Sequence, residues 1–225
     1  MTESRRRDVR TGSSKVHGAA AAQVFGCAGA VLAVGLSAPQ AWTSCRRGLV
    51  AGLSPAARWL AVVQSASWVT FGVAEDVPLQ VLTNVVCGVL HCAVLGALLL
   101  LAPEARSRHL LLPQALFALG WLAAVLLCAV TGALPVGTLA AAAGTLAVVP
   151  QLWLLLRSRS QDTSGVSRAT TVLSLLASSC WCTHGALLEQ AAVVVPSLVG
   201  AVAAAITLAL LAPRPDPAVP LLRAA

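Results

Sequence analysis

The chain has 225 residues, 58% of them hydrophobic and 10% charged, with a formal net charge of +7 and a mean hydropathy of +0.84. No soluble domain of this size hides that much apolar side chain, so a water-soluble fold is excluded. Only helices or closed barrels cross a bilayer, and the apolar runs are long and continuous rather than alternating, which selects helices.

Residues 1–18 carry Arg5, Arg6, Arg7, Arg10 and Lys15 without apolar periodicity, and a disordered basic tail is expected there. The first apolar run is a full span rather than a short signal core, so it is expected to be retained. Seven spans are expected, at 19–41, 59–74, 78–102, 110–130, 134–156, 169–188 and 191–212. The second is short, because Arg58 and Glu75 bracket only sixteen uncharged residues. At about 1.5 Å per residue that is roughly 24 Å, less than the ~30 Å hydrocarbon core, so its ends must snorkel or the bilayer thin.

A motif recurs along these spans. Pro39-Gln40-Ala41-Trp42 is followed by Arg46-Arg47 and by Gly52-Leu53-Ser54. Pro150-Gln151-Leu152-Trp153 is followed by Arg157, Arg159 and Gly165-Val166-Ser167. Downstream, Trp68-Val69-Thr70-Phe71-Gly72 returns as Trp181-Cys182-Thr183-His184-Gly185. The offset is 111 from Pro39 to Pro150 and 113 from Trp68 to Trp181, so one two-residue insertion separates the copies. Residues 19–102 and 134–212 are therefore expected to be two like-folded three-helix units. The unpaired fourth span, within 103–133, links them, and 213–225 form a C-terminal tail. An odd repeat inverts when duplicated directly, and one linking span restores the parallel orientation.

Charge sets the topology. Arg46, Arg47, Arg58, Arg106, Arg108, Arg157, Arg159 and Arg168 fall on one side, with Arg214 and Arg223 of the tail. The other side carries Glu75, Asp76 and Glu189 and no Lys or Arg between spans. The arginine side is expected to be cytoplasmic, with the C-terminus inside and the N-terminus outside, in a multi-pass protein of the cell membrane. The five basic residues of the N-terminal tail vote the other way and are outnumbered.

The doubled Pro-Gln, the Gly-x-Ser after a basic turn and the Trp-x-x-x-Gly on the next span resemble the PQ-loop superfamily. Arranged as 3+1+3 spans, residues 19–212 resemble the SWEET sugar transporters and their half-size bacterial relatives, the SemiSWEETs. The resemblance implies an all-α membrane protein of two parallel three-helix bundles joined by a linker helix. SWEETs are themselves an instance of parallel repeats with a midplane site.

Spacing places a candidate site. Trp68 and Asn84 lie sixteen residues apart, centred on Asp76, and Trp181 and Ser197 lie sixteen apart, centred on Glu189. Each is eight positions from its turn, roughly 12 Å in, so all four share one depth near the bilayer middle. In the family resembled here, a Trp and an Asn at this spacing flank the sugar. An indole face packs on a sugar's C–H face, and an amide offers donors and an acceptor to hydroxyls. Ser197 stands where the family usually has Asn, keeping polarity and losing reach. Against this, Trp is common at membrane interfaces, and Asn and Ser at helix contacts.

Pro39 and Pro150, near the basic ends of spans 1 and 5, each remove a backbone bond and kink a helix. The resemblance implies hinges there, with Pro55 a third at the start of span 2; its counterpart is Arg168. Phe71 and His184, one turn outward of each Trp where the family often has Tyr, are candidates for an outer gate. His184 and His91 are candidate proton carriers, although a lone His within a span is more often a hydrogen-bonded packing residue. Ser65, Ser67, Thr70, Ser178 and Thr183 surround the Trp positions.

Cys27, Cys87, Cys92, Cys128, Cys180 and Cys182 lie within spans as small apolar residues, and Cys180-x-Cys182 is not a CxxC pair. No metal or cofactor site, phosphate loop, nucleophile–His–acid set or nucleic-acid motif is present, so no enzyme is expected. The basic net charge suits a cytoplasmic face near anionic lipid. The function expected is facilitated transport of a small uncharged polar solute, a sugar first, by alternating access between the repeats; no coupling carboxylate is apparent within the spans. The alternatives are a proton-coupled amino-acid carrier of the same superfamily, and a non-transporting receptor or scaffold. The partners expected are the solute and the lipid bilayer, and a homo-oligomer is compatible with the sequence.

Overall fold

The computed structural model describes residues 3–131, 136–157 and 168–211. Seven α-helices cover them: α1 Glu3–Arg47, α2 Pro55–Ala74, α3 Pro78–Leu101, α4 Arg108–Thr131, α5 Val136–Arg157, α6 Arg168–Leu187 and α7 Ala191–Leu210. A one-turn 3-10 helix, Pro103–Arg106, joins α3 to α4. The described residues contain no strand. Arg159, Gly165-Val166-Ser167, Arg214, Arg223 and the tail 213–225 lie outside the described residues.

Two boundaries differ from the expectation. The basic segment expected to be disordered is helical from Glu3 and continuous with α1. Arginine is a good helix former, and no proline interrupts α1 before Pro39. Extension of an existing helix also avoids the cost of nucleation. The second span is longer than its charge-free core. Ser54 caps α2, its hydroxyl accepting the Ala57 N–H at 3.3 Å, and Pro55 occupies the first turn where its missing N–H costs nothing. The resulting 20 residues reach about 30 Å and carry Arg58 inside the helix.

Five helices are long and apolar enough to cross a membrane: α1 over Gly18–Arg47, α3, α4 over His109–Thr131, α5 and α7. The other two, α2 and α6, are repeat equivalents of similar length, diluted by polar residues such as Gln64, Ser65, Ser174 and Ser178. Their polarity is directed inward, as the site below shows.

Within each triplet the third helix packs on both others: α3 on α1 and α2, and α7 on α5 and α6. The bundles then meet crosswise, α1 on α6 and α2 on α5. The six helices close a ring in the order α1, α3, α2, α5, α7, α6. Replacing each helix by its repeat mate leaves these contacts unchanged, as expected of parallel repeats about an axis through the ring. The linker α4 stays outside, packed on α2 and α5. Its face bearing Leu112, Leu116, Leu119 and Leu127 is exposed, as a lipid-facing helix requires.

The two acidic turns are built alike. Asp76 and Glu189 adopt left-handed backbone, at φ 51° and 56°. The Val77 N–H reaches back to the Gly72 carbonyl, and the Gln190 N–H to that of Gly185, both at 2.8 Å. This is the Schellman way of ending a helix. The glycine of each Trp-x-x-x-Gly has a steric reason instead. A Cβ at Gly72 would lie 2.9 Å from Val81, and one at Gly185 would lie 2.9 Å from Val193, so only glycine lets the next helix pack so closely.

Candidate functional site

A cavity of about 310 Å³ lies inside the ring, bordered by all six ring helices and by no residue of α4. Its size falls within the ~300–1,000 Å³ of small-molecule sites. Trp68, Asn84, Trp181 and Ser197 all border it. The lining repeats with the sequence: Ala33 with Gly144, Ser65 with Ser178, and the Trp and Asn/Ser positions with each other.

The tryptophans separate into two kinds. Trp42 and Trp153, the aromatics of the Pro-Gln motifs, are 57% and 62% exposed near the basic end, where an interface belt belongs. Trp42 also stacks under Arg46, 5.4 Å from its ring centre. Trp68 is 6% exposed and Trp181 is half-buried, both on the cavity wall. The interface reading therefore describes the first pair and not the second.

Asn84 donates from Nδ2 to the Gln80 carbonyl of its own helix at 2.9 Å. That bond fixes the amide's orientation and leaves its oxygen and second N–H as further hydrogen-bonding capacity. Ser65 Oγ and His91 Nδ1 are 3.1 Å apart, joining α2 to α3 beside the cavity. His91 is thereby engaged within bundle one.

Phe71 and His184 do not line the cavity; they cap it. The Trp68 and Phe71 rings meet edge to face at 5.3 Å and 88°, and those of Trp181 and His184 at 5.3 Å and 89°. Each cap presses on the other bundle. A Cβ at Gly137 of α5 would lie 3.0 Å from the Phe71 ring, and one at Gly26 of α1 would lie 2.8 Å from His184 Nδ1. Trp181 likewise lies over Gly29. Trp68, Phe71, Val136, Ala140 and Val193 form one buried cluster across the bundle boundary, with Val125 of α4. The cavity is thus shut toward the acidic turns. Toward the basic end it continues into a void of about 210 Å³ that shares Leu36, Ser37, Arg58 and His91 with it and extends to Gln40 and Thr207.

Of the expected hinges, Pro39 and Pro150 lie inside α1 and α5, whereas Pro55 begins α2 and interrupts nothing. Pro196 was not expected. It lies inside α7, borders the cavity, and lies near Gly144. Its repeat mate is Thr83, so comparison of the two copies gave no signal. The pair Gly26 and Gly137, by contrast, is spaced by the same 111 residues as the Pro-Gln motifs and was legible. Arg58, Gln64 and Gln80 also reach the cavity. Spacing about the acidic turns singles out one residue per helix, and these three fall outside it.

Residues 145–212, from α5 to just beyond α7, match the family model described as "Sugar efflux transporter for intercellular exchange". No curated protein matches the chain. Among solved structures, a eukaryotic SWEET transporter superposes with a TM-score of 0.66 at 18% identity, over 86% of this chain and 96% of that one. The chain has the SWEET fold, and the expected 3+1+3 all-α architecture is the one observed.

Proposed function

We propose that this protein is a sugar carrier that works by alternating access between its two bundles. The observation that carries the reading is the position of Trp68, Asn84, Trp181 and Ser197 around one cavity enclosed by both repeats and shut at one end. The sugar family matched by the second repeat supports it. The two indoles supply faces for a pyranose, Asn84 supplies the long amide, and Ser197 supplies a shorter hydroxyl that leaves room on the side of bundle two. Release and reloading require the bundles to part at the acidic turns and to meet at the basic end. Phe71 and His184 serve as the gate at the first place, and Pro39 and Pro150 as flexible points near the second.

The excess of arginine places the basic end in the cytoplasm, with the N-terminus outside and the state seen here hollow toward the cytoplasm. A cysteine at Glu189 should then react with an impermeant reagent outside intact cells, and one at Ser107 should not. The opposite pattern would invert the chain. The lining of the cavity contains no carboxylate among the described residues, which favours facilitated flux over ion coupling. The test is uptake of labelled hexoses and amino acids into liposomes holding the protein. Saturable hexose uptake without an imposed proton gradient is expected. Amino-acid uptake driven by such a gradient, with no hexose uptake, would overturn the reading.

A further inference from the structure

The cavity contains a charge that a neutral sugar does not use. Arg58, in the first turn of α2, borders both the central cavity and its extension. Its Nε is buried and has no hydrogen-bond partner. Guanidinium stays charged at any physiological pH, and a donor buried without a partner is costly. Protein carboxylates do not answer it among the described residues. Glu75, Asp76 and Glu189 lie at the opposite end of the ring, about 25 Å along α2, and Glu104 is exposed on the 3-10 turn.

The repeat shows that this charge is not a by-product of the architecture. Where the two Trp and the two Ser of the lining are duplicated, Arg58 is not: its mate is Thr171. The same asymmetry holds for Gln64 against Ala177 and Gln80 against Val193. All three of the polar members border the cavity from bundle one. The wall from bundle one thus adds two amides and a cation to its indole and serine, and the facing wall offers an indole, serine hydroxyls and methyls. A ligand matched to both carries its negative group on the side of bundle one.

We infer that the sugar this protein carries is an anionic one, a carboxylated or phosphorylated sugar whose negative group docks on Arg58 in the basic half of the cavity. The inference rests on the sugar-carrier reading and narrows its substrate. Arg58 precedes Trp68 by ten residues, roughly 15 Å along the helix. The charge is therefore met first from the basic end, and the ring lies beyond it toward Asn84 and the indoles. Guanidinium pairs with both carboxylate and phosphate in two-point geometry. Sequence counting set Arg58 at the boundary of a span; inside the helix and on the cavity wall, it becomes part of the site.

The test compares D-glucose, D-glucuronate and D-glucose 6-phosphate on the full-length protein, by tryptophan fluorescence for binding and by liposome uptake for transport. At least one anionic sugar should bind about tenfold or more tightly than glucose, and added salt should erode the difference. Arg58→Gln should lower that ratio by about tenfold or more, and Arg58→Lys should keep part of it. Glucose binding as tightly as both anionic sugars would overturn the inference, as would a ratio unchanged in Arg58→Gln. If Arg58→Gln does not fold, the wild-type ratio, its salt dependence and Arg58→Lys decide. Glucose transport with both anionic sugars excluded leaves the carrier reading standing and removes this one. Arg58-dependent binding of an anionic sugar without any uptake does the reverse.

Discussion

His184 Nδ1 donates a hydrogen bond to the Ala22 backbone carbonyl at 2.7 Å, fastening α6 of one bundle to α1 of the other beside the acidic turns. The acceptor is a carbonyl, so Nδ1 carries a proton. Its repeat mate, Phe71, closes against α5 by packing alone. The closure at this end is therefore a latch on one side and a plug on the other. The buried, bonded imidazole is a structural partner in this state, which is the packing role weighed for it from sequence.

His184→Phe should make the two sides of the gate alike. A neutral hydrogen bond contributes about 0.5–1.5 kcal/mol net, so the shut state should weaken by roughly two- to tenfold relative to the state open at the acidic turns. A cysteine at Ser178, on the cavity wall, should then be labelled faster from the acidic-turn side than in a parent carrying His184. Equal labelling rates would mean that the bond does not set the balance of states.

The closure also depends on two missing side chains. Gly26→Val and Gly137→Val should wedge the gate, because the added carbons fall within 3.0 Å of His184 and Phe71. Transport should fall steeply in both while the protein still inserts. Gly96→Ala is the contrast: a Cβ there meets nothing within 4 Å. It should stabilise α3 by about 0.5–1 kcal/mol and leave transport near the parent rate. Normal transport in both valine variants would show that the shut state seen here is not required in the cycle.

Pro150→Ala should restore a backbone hydrogen bond near the basic end of α5 and stiffen it. The expected outcome is slower transport with near-normal insertion. An unchanged rate would reduce this proline to a passive kink.

Much of this was legible because the chain states it twice. The Trp positions, the acidic turns and the helix triplets each recur at a fixed offset, and a coincidence in one copy is checked by the other. What was not legible is what the repeats do not share. Arg58 looked like the edge of a membrane span, because charge counting cannot foresee that Ser54 caps the helix a turn earlier. Pro196 has a threonine for a mate, and Gln64 an alanine. The residues that make the two halves differ are invisible to an argument from repetition, and they are the ones that polarise the cavity. The helix preceding residue 19 was missed for another reason: its composition is that of a solvated tail, and its helicity is inherited from the span it extends.

The central claim is that Trp68, Asn84, Trp181 and Ser197 hold the sugar in transit. Its most direct test is the concentration dependence of sugar uptake in liposomes for Asn84→Ala and Trp181→Ala beside the parent, at matched insertion. Loss of one hydrogen bond, about 0.5–1.5 kcal/mol, should raise the half-saturating concentration two- to tenfold in Asn84→Ala. Trp181→Ala, which removes an entire packing face, should raise it at least as much. Saturation curves that overlay the parent's in both variants would contradict the claim and leave the repeat as architecture alone.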